Sequence, residues 1–223
     1  MESDPYNDLK RRVEITRDAR FQANLRLERR NKLSYFVIAL LSLFVIILSL
    51  VPNIFYLTLA GAQALLALSI VNSVFVIITT FLEASGNFVH RGEQLHRSAR
   101  KVATVFNKLM LLTPEEKTDK EVISNLQKEY QIALDECQFN HDNIDYDLIK
   151  ATKPNLFKGR LNEGEYKEYI RLFRFLKYRF FEFMWMLPHI IVVLLTLGGI
   201  LWIVIFNGLG ETMLIDERNF RNK

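Results

Sequence analysis

The chain has 223 residues, half of them hydrophobic, with a formal charge of +4 and a mean hydropathy of only +0.07. The apolar residues must therefore be clustered, because the remainder is densely charged, and so small a net charge argues against a dedicated nucleic-acid binder. The single cysteine, Cys137, excludes an internal disulfide framework and suits a reducing compartment, while scarce Pro and Gly predict helix throughout.

Residues 1–32 hold nine Lys/Arg and six Asp/Glu, and Ala19, Ala23 and Leu27 fall on one side of an expected amphipathic N-terminal helix. Leu33 to Val51 follows, nineteen residues without a charge. That is about 28 Å of helix, close to the hydrocarbon thickness of a bilayer. The charged stretch before it is too long for a signal peptide's leading region, and the apolar run exceeds a signal's core. Ile54 to Leu82 is again uncharged and longer than a span needs, so its start is expected in the interface. Pro52-Asn53 between the two runs is turn chemistry, since Pro cannot continue a helix interior and Asn tolerates turn geometry. Residues 33–82 are therefore read as a transmembrane hairpin with Pro52-Asn53 as its outward turn.

Placed at about 100° per residue, every polar residue from Ser69 to Glu83 fits within about 120° of the second span. The arc holds Ser69, Asn72, Ser73, Thr79, Thr80 and Glu83, with Gly61, Ala62 and Leu65 nearby; the opposite face is bulky and apolar. One reading is helix packing, for which small and hydroxyl residues allow close approach, with Ser34, Ser42 and Ser49 as a matching face on the first span. The other is a water-filled path lined by Ser69, Asn72, Ser73, Thr79 and Glu83. One hairpin cannot enclose a pore, so the second reading requires an oligomer.

Residues 83–182 balance seventeen Lys/Arg against sixteen Asp/Glu and read as a cytoplasmic helical domain. From Phe88, the residues Leu95, Ala99, Val102, Phe106, Leu109 and Leu112 form one apolar stripe that needs a partner helix. In "TPEE", Thr113 caps, Pro114 suits a first turn and Glu116 completes a capping box. Val122, Leu126, Tyr130, Ala133, Leu134 and Cys137 mark the next helix. "NHDNIDYD", Asn140 to Asp147, is the one polar cluster to weigh. His141, Asp142, Asp145 and Asp147 are metal-ligating or acid–base residue types, but His141 and Asp145 are spaced to pair on a helix face while Ile144 and Leu148 point inward. Pro154 breaks the pattern. A last charged helix is expected from near Asn162, with Tyr166, Tyr169, Ile170, Phe173 and Leu176 as its inner face.

That helix runs into a third apolar segment, residues 183–206, carrying Pro188 and His189 near its start. It is expected to span, with a short polar tail at 207–223 outside; a segment that only dips into the membrane is the alternative. Arg29, Arg30 and Lys32 precede the first span, His90 and Arg91 follow the second, and Lys177 and Arg179 precede the third. All three clusters orient the N-terminus and the 83–182 domain inward. The expected fold class is thus an all-α integral membrane protein, multi-pass, with a transmembrane helical hairpin, a cytoplasmic helical bundle and a third C-terminal span.

There is no Gly-rich phosphate loop, HExxH, CxxC or GxSxG. The chain is read as a non-enzyme without cofactor or metal. "TRDARFQANLRLERRNKLSYFVIALLSLFVIILSL", a tight turn, a second span and then "EYQIALDECQFNHDNIDY" resemble the SLATT family of bacterial two-span effector domains. The resemblance covers roughly residues 10–150. It rests on Arg20, Arg26 and Leu27 before the first span and Ser34, Ser42 and Ser49 within it. After the second span it rests on Tyr130, Asn140, His141, Asp145 and Tyr146. Within that family the chain resembles the variant found beside reverse transcriptases. What the resemblance implies is an anti-phage effector of the bacterial inner membrane that meets lipid directly and homo-oligomerises. It implies permeabilisation once a sensor encoded nearby (a nucleotidyltransferase, nucleotide sensor or reverse transcriptase) detects infection. A membrane-anchored interaction module that recruits or restrains a partner enzyme is the other class of function.

Overall fold

The computed structural model describes residues 4–54, 57–157 and 168–221, with side chains up to 203 and at 205. Among the described residues every regular element is helical. α1 is Pro5–Ile54, α2 Leu59–Gly86, α3 Phe88–Leu111, α4 Pro114–Thr118, α5 Lys120–Asp135 and α6 Asn143–Thr152. A 3₁₀ turn at Pro154–Phe157 precedes α7, Glu168–Arg221. Windows within Pro5–Ile54, Leu59–Leu111 and Glu168–Ile203 are long and apolar enough to cross a membrane. The chain divides into two compact units, 1–31 with 87–184 and 32–86 with 185–223.

In the first, charged unit, α1 begins on the Asp4 carboxylate, which accepts from the Tyr6 N–H at 3.1 Å, with Pro5 in the first turn, where its missing N–H costs nothing. The core gathers Leu9 and Val13 of α1, Val102 and Leu109 of α3, and Ile123, Leu126 and Tyr130 of α5. Leu95, Ala99, Val102 and Leu109 are each buried to 1% or less, so the α3 stripe found its partner helices. Ile123 joins Leu126, Tyr130 and Ala133 as the buried set of α5, while Val122 and Leu134 pack partly buried beside them. The Thr113–Glu116 capping box forms as spaced. α1 and α3 approach closely at Gly92, where a Cβ would sit 3.3 Å from the Asn24 Oδ1. Asn87, before α3, takes φ 46°, a left-handed conformation to which Asn is better suited than most residues.

In the second, apolar unit, residues from α1, α2 and α7 pack in two clusters. Val37, Leu41 and Val192 centre one, and Leu48, Leu65 and Ile203 the other. A Cβ on Gly199 would meet the end of the Leu68 side chain at 3.0 Å, so a larger residue there requires Leu68 to shift by a few tenths of an ångström. The outward side chains are large and apolar, among them Phe36, Ile70, Ile77 and Phe81.

Two expectations change. Pro52 and Asn53 lie inside the last turn of α1, which continues to Ile54, and the helix break falls between Ile54 and Leu59. Pro52 is tolerated there because only the Leu48 carbonyl loses an intrahelical donor, while the Asn53 amide donates to the Ser49 carbonyl at 3.0 Å. The expected inner face of the last charged helix is also reversed. Tyr169, Phe173 and Leu176 are 63%, 66% and 53% exposed, and the buried residue is Tyr178. Ile170 is half-buried. Tyr166 and the expected start near Asn162 lie outside the described residues.

Leu109→Ala is expected to cost about 2–5 kcal/mol, since its side chain is fully buried among three helices. Leu111→Ala, at 83% exposed, should change stability by less than about 0.5 kcal/mol. Denaturation of the detergent-solubilised protein, followed by helical circular dichroism, checks the pair.

Candidate functional site

The sequence singled out two groups, and each has its own unit. On α2, Ser69, Asn72 and Thr79 are buried at 6%, 1% and 9%, with Ser73 and Glu83 half-buried on the same side. The Ser69 hydroxyl lies 3.0 Å from that of Ser49 on α1. The Thr196 hydroxyl of α7 donates to the Asn72 Oδ1 at 2.7 Å, with the Val192 carbonyl at 2.9 Å as its local alternative. Ser73 bonds back to the Ser69 carbonyl at 2.9 Å. Asn72 and Ser69 are therefore enclosed within one chain by polar groups of α1 and α7. Two atoms are not served: the Asn72 amide nitrogen and the Glu83 Oε1 are buried with no hydrogen-bond partner among the described residues. Thr196 was missed in the sequence because it is a lone hydroxyl in an apolar run.

In the charged unit, Arg26 is the anchor. Its side chain is 2% exposed, and its Nε and Nη2 donate to the two oxygens of Asp145 at 2.9 and 2.7 Å. Nη2 also reaches Asp142 at 2.6 Å. Asp145, fully buried, is positioned by α6, where it accepts from the Asp142 N–H at 3.1 Å in a capping box. The guanidinium is thus desolvated yet held charged, its pKa pushed up by these carboxylates against the opposing effect of burial. Asp145 does not pair with His141 as spacing suggested. His141 precedes α6, its Nδ1 is buried with no hydrogen-bond partner among the described residues, and burial lowers its pKa.

Arg20, 4% exposed, has no carboxylate partner among the described residues. It donates to the Ser98 hydroxyl and, at 3.4 Å, to the Ala133 carbonyl, and burial lowers its pKa. Tyr130 is buried and bonds through its hydroxyl to Thr16 at 2.7 Å. Tyr146 stacks edge-on to Phe157 with Lys150 above its ring at 4.8 Å, and Asn140 is exposed. Arg20, Arg26, Tyr130 and Asp145 therefore tie α1 to α3, α5 and α6.

Residues 2–199 match the family described as SMODS and SLOG-associating 2TM effector domain family 5. The match extends past the two spans of the resemblance and into α7. No curated protein and no solved structure matches the chain.

Arg26→Met is expected to lose about 3–5 kcal/mol, because the buried Asp145 carboxylate is left uncompensated. Arg26→Met with Asp145→Leu should lose markedly less than either change alone, and a double-mutant cycle on denaturation midpoints reads the difference. His141 adds a pH dependence. With its folded pKa below the usual 6.5, the unfolded chain takes up a proton first. Its contribution is intact above about pH 6.5 and stability falls as pH drops through that value. His141→Asn should flatten the pH 5.5–7 part of a stability-versus-pH curve, an interval set by the ordinary histidine pKa of about 6.5.

Proposed function

The chain belongs to the SMODS and SLOG-associating 2TM effector domain family, and from that premise we propose that it is the membrane effector of an anti-phage, abortive-infection type system. Family membership makes it a membrane effector domain of conflict systems with a nucleotidyltransferase-type association. The finer reading is ours. The charged unit lies in the cytoplasm and receives the signal of a sensor encoded nearby, either a nucleotidyltransferase, a nucleotide sensor or a reverse transcriptase. The apolar helices, as a homo-oligomer in the bacterial inner membrane, then open a conduit lined by Ser69, Asn72, Ser73, Thr79 and Glu83. No catalytic step is assigned to the chain.

The observation that carries this reading is the state of Asn72. Its oxygen is engaged by Thr196 while its amide nitrogen is buried without an acceptor among the described residues. Polar groups left unserved in an apolar bundle are costly and belong to bundle interiors or aqueous cavities. The contacts of Ser49 and Thr196 keep the stripe covered within one chain, which fits a resting, shut form. The same contacts favour a second reading, in which the helices only pack and the protein is a membrane-anchored module for a partner enzyme.

Membrane potential in bacteria, followed with a voltage-sensitive dye during expression with the genomic neighbours and phage, separates the two. Wild type should depolarise the membrane and Asn72→Leu should not, at equal membrane abundance. Thr196→Val, which frees the Asn72 oxygen, should depolarise at lower expression. Depolarisation by Asn72→Leu equal to wild type would remove the stripe from the conduit. Full function after exchange of the hairpin for an unrelated anchor would establish the module.

A further inference from the structure

The first part of α7, Glu168 to Met184, belongs to the charged unit but is turned inside out. At about 100° per residue, Tyr169, Leu172, Phe173, Leu176, Phe180 and Phe183 fall within an arc of about 120°. All six are between 49% and 66% exposed. The polar residues point the other way. Arg171 donates to the Ala151 carbonyl at 3.0 Å, and Tyr178, 3% exposed, donates to Glu182 at 3.2 Å. Burial and that carboxylate push the Tyr178 pKa up to about 12. A helix of a water-soluble domain buries its apolar arc and exposes its polar residues; here Arg171 and Tyr178 are anchored inward and the aromatic arc is exposed.

We infer that this arc is a lipid-docking face, seated in the headgroup region of an anionic bilayer. The inference rests on the reading of the protein as membrane-inserted. Three observations select lipid over a second copy of the chain. First, the helix continues unbroken from this segment into the apolar run that begins at Phe183. Second, the arc has no Gly, Ala or Ser. Helix contacts within membranes favour small residues, whereas interfacial helices carry bulky apolar and aromatic ones. Third, Lys177 and Arg179 flank the arc on opposite sides with their side chains 54% and 61% exposed. Each keeps that exposure while paired, Lys177 with Asp147 at 3.0 Å and Arg179 with Glu182 at 3.5 Å, and basic side chains beside an apolar face favour anionic headgroups. Segment 168–184 carries four basic residues against two acidic ones. Pro188, a turn further on, leaves the Met184 carbonyl without its intrahelical donor.

The test uses the full-length protein in a Cys137→Ser background, with one environment-sensitive fluorophore on each of three single cysteines. Phe173→Cys reports the arc. Ile77→Cys, 67% exposed on α2, reports membrane insertion, and Ile132→Cys, 58% exposed on α5, reports the rest of the charged unit. Each is reconstituted into phosphatidylcholine vesicles with and without phosphatidylglycerol, carrying a doxyl quencher near the headgroup or deep in the chains. The expected result is a blue-shifted label at 173, quenched by the shallow doxyl and more strongly with phosphatidylglycerol, with the label at 132 unaffected. Arg179→Gln should lose the phosphatidylglycerol dependence. An unquenched label at 173 with a quenched label at 77 overturns the lipid face and leaves the membrane reading standing. If that unquenched label is blue-shifted and self-quenches between protomers, a second copy covers the arc instead. An unquenched label at 77 overturns the membrane reading itself.

Discussion

Arg26 is placed where a guanidinium is hardest to keep. With 2% of its side chain exposed, it has given up nearly all of its hydration, and only close, multiple carboxylate contacts offset that. Asp145 supplies two of them in a fork and Asp142 a third. Both carboxylates come from the start of α6, and each is also tied to that helix's capping box. The chain segment that begins α6 is thereby fixed against the middle of α1. From there, Ile144 and Leu148 set the seat for Tyr178 of α7, and Ile149 closes with Phe157 over Ile15 and Ala19. A buried pair of this kind contributes more to geometry than to net stability, because desolvation consumes most of the attraction. Its effect is that α6 and α7 have one position on α1.

The two long helices, α1 and α7, each belong in part to the charged unit and in part to the apolar one. α1 is charged on its outer side over its first half and packs on α3, α5 and α6. Over its second half it presents Tyr35, Phe36, Leu43 and Ile46 outward. The rule that side chains follow within one helix therefore reverses at residue 32, with polar groups inside and apolar groups outside in the apolar unit. Backbone hydrogen bonding is internal to the helix in both environments, which is why a single helix passes between them without a break.

The parts of this arrangement that were legible in the sequence are those set by local physics. Uncharged runs of nineteen residues and more fix the apolar helices by length. The α3 stripe and the Thr113–Glu116 box depend on residues within one or two turns of each other. What was not legible depends on residues far apart. Arg26 and Asp145 are separated by 119 positions, and nothing in either neighbourhood names the other, although the resemblance had singled out both. The face of α7 was read backwards because periodicity locates an apolar arc but does not say whether protein or lipid lies against it. Pro52 was read as a turn because the proline penalty is largest in a helix interior, and it falls away in the last turn, where one carbonyl alone loses its donor.

Asn72 and Arg20 obey the same constraint from opposite sides. Each is a strongly polar group, 1% and 4% exposed, whose packing supplies part of its hydrogen-bonding capacity. Among the described residues, Arg20 has Ser98 and the Ala133 carbonyl for one nitrogen and no partner for its Nε; Asn72 has Thr196 for its oxygen and no partner for its amide. An unserved donor in such surroundings costs about 1–3 kcal/mol, which a structure selected for stability alone would shed by substituting an apolar residue of similar size. Hydrogen-bonded partly and charged or dipolar in full, these two side chains are places where water or another chain would supply a missing hydrogen bond. They sit in different units, one against α3 and α5 and the other against α7, so a change at either alters the packing of helices rather than the conformation of a loop.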